Sequence, residues 1–148
     1  MNDDIPPLLP PDQMPPIRSQ HDLYLHWRAL MGPLGFSERL LWISFVGRDG
    51  AMLPHLTQIA DLPTYPGIAV VDNLMEVCQR ELWESVERGS VAMLLSRPGQ
   101  APLTDSDRAW ARALVTAADR ADLPLHPVHL ANDEALRVFA PDDLVRMS

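Results

Sequence analysis

Apolar and polar positions along the chain switch between a helical and a strand period, and the switches mark the elements. Leu23, Trp27, Leu30 and Met31 form one apolar side, predicting a helix from about His21 to Met31 that Gly32-Pro33 ends. Arg39 to Val46 (RLLWISFV) is rich in β-branched and aromatic residues and predicts a strand. Arg48-Asp49-Gly50 predicts a hairpin turn, with Ala51 to Ile59 as the returning strand. Past Pro63 and Pro66, Leu74, Val77, Cys78, Leu82, Ser85 and Val86 fall on one helical face, with Glu76, Arg80, Glu84 and Glu87 outward and Gly89 as the cap. Ser90 to Ser96 is nearly all apolar, which predicts a central strand covered on both faces. After a Pro-Gly loop, Thr104 is the predicted N-cap of a helix with Asp105 and Asp107 in its first turn. Trp110, Ala113, Leu114, Ala117, Ala118 and Ala121 give that helix the strongest periodicity in the chain. Leu123 to Ala131 predicts a strand interrupted at Pro127, Ala135 to Ala140 a last strand, and Pro141 to Met147 a terminal helix.

The order predicts an α/β fold: one mixed sheet, partly parallel through two β-α-β connections, with helices on both faces as a three-layer α-β-α sandwich. The length, 148 residues, suits a single domain. Residues 1–19 hold six of the 15 prolines. That stretch is expected to be a poorly ordered, polyproline-like tail, leaving 20–148 as the domain. One cysteine, Cys78, excludes an internal disulfide and a cysteine metal site. With no basic-then-apolar start and no run long enough to cross a bilayer, a cytoplasmic, non-membrane protein is expected. The net charge of −8 weighs against nucleic acid as the main partner. All 12 cations are arginine, which removes Schiff-base and P-loop lysine chemistry.

The stretch Leu94 to Asp107 (LLSRPGQAPLTDSD) joins a strand end, a loop and a helix start, where α/β proteins place active sites. Together with the order of elements from about Leu40 to Val145, about two-thirds of the chain, it resembles the RadC-like branch of the JAB/MPN (JAMM) metalloprotease superfamily. In that family a buried strand ends in His-x-His-Pro-Ser-Gly, a proline loop leads to Ser-x-x-Asp at a helix start, and an Asp-His pair follows on the next strand. The resemblance implies a JAB/MPN-like (cytidine deaminase-like) topology. It also implies a zinc held by the two histidines and the aspartate, an activated water, and a glutamate base from the early hairpin. Here the strand end reads Leu95-Ser96-Arg97-Pro98-Gly99, and six residues separate Arg97 from Thr104-Asp-Ser-Asp107. Leu95 and Arg97 stand where the histidines belong, and neither ligates zinc. Of the ligand set only Asp107 remains. Residues 51–59 contain no acid, and the Asp-His positions fall on about Pro127 and Val128.

These residues imply a vestigial pocket of Leu95, Arg97, Thr104 and Asp107 with no catalytic residue, no metal and no cofactor. Asp107 reads either as a first-turn acid or as the partner of Arg97 in the vacated site. A rebuilt zinc site from Asp107, His55 and His126 is the alternative, and it belongs to an isopeptidase-like hydrolase with rearranged ligands. His126 and His129 are an odd number apart and face opposite sides of a strand unless Pro127 shifts the register. His21 and His26 are poorly spaced for a shared ligand, and Cys78 reads as a core thiol. Ser96 and Ser106 lack a nucleophile-elbow context. Trp110 reads as core, and Trp83, off the apolar face of its helix, as the interface candidate. The expectation is an inactive RadC-like pseudoenzyme that works as a protein-interaction or regulatory module, bound to a protein or to itself. A DNA-associated accessory role is the third reading.

Overall fold

The computed structural model describes residues 7–9, 13–85, 89–100 and 102–145, without the side chains of Pro54, His55, Trp83, Ser85, Asp142 and Val145. Nine elements follow one another. They are α1 (Gln20–Met31), β1 (Leu40–Val46), β2 (Met52–Ile59), α2 (Ile68–Ser85), β3 (Ser90–Ser96), α3 (Asp105–Arg120), β4 (His129–Ala131), β5 (Leu136–Val138) and α4 (Pro141–Val145). The strands form one sheet in the order β2-β1-β3-β4-β5. β1 runs antiparallel to both β2 and β3, β3 is parallel to β4, and β4 is antiparallel to β5. Helix α2 therefore crosses over β1 to link two parallel, non-adjacent strands, and α3 links the adjacent parallel pair. The fold is α/β with a mixed, open sheet.

Period-two alternation sorts the sheet residues into two cores. Leu41, Ile43, Phe45, Val91, Met93, Leu95 and Leu130 pack with α2 and α3. Val46, Met52, Ala92, Leu94, Ala131 and Leu136 face the other way and pack with Leu23 and Trp27 of α1. The sheet is thus the middle of three layers, and β3, paired on both sides and covered on both faces, is its centre. No helix among the described residues is long and apolar enough to cross a membrane.

Several expectations need correcting. Helix α2 starts at Ile68, and its buried stripe is Val71, Met75, Cys78 and Leu82, while Val77 is exposed. Of the predicted face, Cys78 and Leu82 are buried and Leu74 packs against the core, while the Ser85 side chain and Val86, like the outward Glu87, lie outside the described residues. The predicted strand from Leu123 shrinks to His129–Ala131 with a single bridge from Leu125 to Val91, because Pro127 has no N–H to give the ladder. The last strand likewise contracts to Leu136–Val138. The C-terminal end of the predicted tail belongs to the domain. Ile17 is buried, its N–H donates to the Gly50 carbonyl at 2.7 Å, and Ser19 caps α1. The turn residue Gly50 has φ +88°, and a Cβ there would lie 2.8 Å from the Ile17 carbonyl oxygen, so only glycine fits.

Candidate functional site

The site lies where β3 ends and α3 begins. Leu95 and Arg97 point to the α3 side of the sheet, as their spacing requires, and Leu95 is 3% exposed in the core. Thr104 caps α3 with a reciprocal box. Its hydroxyl accepts from the Asp107 N–H at 3.1 Å, and the Asp107 carboxylate accepts from the Thr104 N–H at 3.0 Å. The cap holds the Asp107 carboxylate facing the strand end, where it meets the guanidinium of Arg97. Arg97 Nε donates to Oδ1 at 2.8 Å and Oδ2 at 3.0 Å, and Nη2 donates to Oδ2 at 2.6 Å. The pair is 6% and 3% exposed at its side chains. Both readings of Asp107 therefore hold together, since one carboxylate caps the helix and closes a charge-assisted fork.

A second tier of polar contacts closes the mouth. Arg39 and Ser106 bond to each other, and both bond the Thr64 carbonyl. Trp110 Nε1 donates to the Pro63 carbonyl at 2.9 Å. The β2–α2 loop is thus fastened across the start of α3. On the other side of the sheet, Trp42 Nε1 donates to Ser96 Oγ at 2.8 Å. The space bounded by Arg39, Leu95, Ser96, Arg97, Asp107 and Trp110 has no room for a water molecule. Asp133, in the turn between β4 and β5, ties two loops at the same end of the sheet. It accepts from Gly99 N–H at 2.8 Å and Phe36 N–H at 3.0 Å. Those two N–H groups, Gly99 first, and then the charge of Arg97 hold its carboxyl below the usual carboxylate range.

The zinc that the family resemblance implies does not fit these residues. A cation would have to displace a guanidinium from a carboxylate whose two oxygens already accept four hydrogen bonds. Leu95 offers no donor atom. His126 does not reach this end of the sheet. Its Nε2 bonds Ser90 Oγ at 2.7 Å, at the opposite end of β3, about 20 Å of strand away. The grouping of Asp107 with His126 is therefore not assembled, and the side chain of His55 lies outside the described residues. Among the described residues no cluster of three or more histidine, cysteine or acidic side chains could hold a metal ion. Pro127 and Val128, the Asp-His positions, precede β4 and offer no ligand.

The remaining candidates separate cleanly. Cys78 is buried on α2, and burial, then Glu81, pushes its thiol up to about 12. Trp110 is core at 1% exposure, and the side chain of Trp83 lies outside the described residues. His129 is fully buried in β4. Its Nδ1 lies 3.1 Å from the Pro127 carbonyl oxygen, while its Nε2 has no partner among the described residues. Nothing local in the chain marks Arg39 or Asp133, whose contacts span 67 and 97 residues. A scan of protein-family models finds no family that matches this chain, and no curated protein sequence matches it.

Proposed function

We propose that this chain is a JAB/MPN-like domain, degenerate at its metal centre, that serves as a protein-interaction or regulatory module. The observation that carries the reading is the buried Arg97–Asp107 pair, in which a guanidinium sits at one predicted ligand position and engages the carboxylate of another. A pair satisfied on both sides and closed to water holds a shape and offers no activated water or base to a substrate. The β3 strand, the proline-containing loop and the capped start of α3 around it support this reading.

The test is to rebuild what is missing. Leu95→His with Arg97→His places two imidazoles on one face opposite Asp107. The double variant, purified without chelator, is expected to bind one zinc, and the native chain is expected to carry only sub-stoichiometric zinc. Stoichiometric zinc in the native protein, lost in Asp107→Asn with the fold intact by circular dichroism, would establish the rival hydrolase. A folded double variant that takes up no zinc would remove the support for a JAB/MPN-like frame.

A further inference from the structure

Helix α1 carries a second stripe beside the one that meets the sheet. Leu23 and Trp27 pack into the core below. Asp22, Leu25, His26 and Ala29, at i, i+3, i+4 and i+7, share an adjoining side. The proline-rich start of the chain covers that side. Pro7, Leu9, Met14 and Pro15 lie against it and enclose a cavity of about 180 Å³. Beneath this cover Ala29 and His26 are buried, while Leu25 at the rim is 37% exposed. The cover is loosely held. Among the described residues, the hydrogen bonding of residues 7–16 stays within the segment, from Leu9 N–H to Met14 Sδ at 3.4 Å. The next residue, Ile17, makes the first bond to the rest of the protein. His26 is nine-tenths buried, and neither of its ring nitrogens has a partner among the described residues. The segment thus leaves a polar group unmet in its own seat and a cavity where close packing would leave none.

We infer that residues 7–15 are a displaceable plug on a docking groove of α1, and that a proline-rich, apolar segment of another protein takes their place there. The inference rests on the interaction-module reading and names its partner. The seated segment defines the occupant. The groove accepts prolines with leucine and methionine between them and engages no backbone N–H of the segment. A proline-rich chain suits such a seat, because it has few N–H groups to leave unpaired and little conformational freedom to lose. Recognition of proline-rich segments by apolar grooves uses the same economy. A second copy of this chain is a poor occupant. Its segment brings the same side chains without the effective concentration that the tether gives the resident one. A foreign segment that also offers a hydrogen-bonding group to His26 gains what the plug forgoes.

The probe is a fluorescein-labelled synthetic peptide of residues 5–16, titrated into the full chain and followed by anisotropy. Weak binding is expected for the native chain, because the resident segment competes. Leu9→Asp and, separately, Met14→Asp unseat the plug and are each expected to tighten binding about tenfold. Adding Leu25→Asp to Leu9→Asp is expected to abolish it. Leu9 and Leu25 are both exposed, so the circular dichroism of these variants is expected to stay native. In ¹⁵N-labelled Leu9→Asp protein, the peptide is expected to shift the amides of residues 22–29. Equal affinity of the native chain and both unplugged variants, no binding by either variant, binding that survives Leu25→Asp, or equal binding of a peptide with glycine for every proline would each overturn the proposal. So would a dimer in sedimentation that Leu9→Asp dissociates, since the seat would then belong to a second copy. The zinc result of the Leu95→His/Arg97→His variant does not depend on any of these outcomes, so the two readings fail separately.

Discussion

Two sets of buried polar groups in this fold follow opposite rules. At the C-terminal end of β3, Arg97, Asp107 and Thr104 are charged or polar and bonded to one another. Under α1, His26 and Trp27 are nine-tenths or more buried, and His129 is fully buried in β4. Both ring nitrogens of His26, Nε1 of Trp27 and Nε2 of His129 have no partner among the described residues. Burial pushes His26 and His129 down to about 4. For His129 the Pro127 carbonyl works against that push, and the neighbouring His126 adds a little to it. The first cluster keeps its charges by pairing them. The second avoids charge, because an imidazolium without an acceptor costs too much in an apolar layer. A fold can therefore bury ionisable groups in two ways, and the two respond differently to acid and to mutation.

Acid separates them most strongly. An unfolded histidine titrates near 6.5, and these two titrate near 4 in the fold, so protons bind the unfolded chain first. Stability is complete above about 6.5 and is lost as pH falls toward 4. The expected loss is about 2 kcal/mol per histidine between pH 6.5 and 5. Urea melts across that range measure it. His26→Leu removes two unpartnered nitrogens and is expected to flatten the slope by about half while leaving neutral stability unchanged or higher. A slope untouched by His26→Leu would break the contrast. The depressed carboxyl of Asp133 acts in a lower window, since its contribution is present above the ordinary carboxylate value and is lost only as pH falls below it.

Removing a charge from the paired cluster comes next. Asp107→Ala leaves the Arg97 guanidinium buried and unpaired, and the expected cost is about 3–5 kcal/mol in urea unfolding at neutral pH. Adding Arg97→Met in the same chain is expected to recover most of that loss, as apolar replacement of a buried pair often does. Additive losses in the double variant would mean that the two side chains stabilise the fold independently. The smallest effect belongs to the cap. Thr104→Ala removes the hydroxyl that accepts from Asp107 N–H and is expected to cost about 1 kcal/mol, with the Arg97 pair intact. A loss as large as that of Asp107→Ala would make the hydroxyl, and not the carboxylate, the centre of the cluster.

How much of this was legible in the sequence depends on whether a residue's partner is near in the chain. β3 runs from Ser90 to Ser96 as its unbroken apolar run predicts, because a strand covered on both faces has no polar face to blur its limits. The N-cap and buried face of α3 were equally legible, since capping boxes and helical spacing are local. The Arg97–Asp107 contact was expected from the family resemblance, which puts both residues at positions that face one metal. The closing contacts of Arg39, Ser106 and Trp110 to residues 63 and 64 were not legible, since a backbone carbonyl carries no residue-specific mark. The buried histidines were hidden because an imidazole reads as exposed and polar until the layer above it is known.

The close approach of Ile17 to Gly50 has a practical reach. Because the hairpin tip grips the chain there, the seven residues from Met14 to Gln20 carry the route by which α1 is delivered to its layer. Upstream of that grip, Pro7, Leu9, Met14 and Pro15 line one pocket with Leu25, His26 and Ala29 of α1, so the same segment also covers the helix's outer side. A cut just past the grip would free the helix's leading end and open the underside of the sheet to solvent.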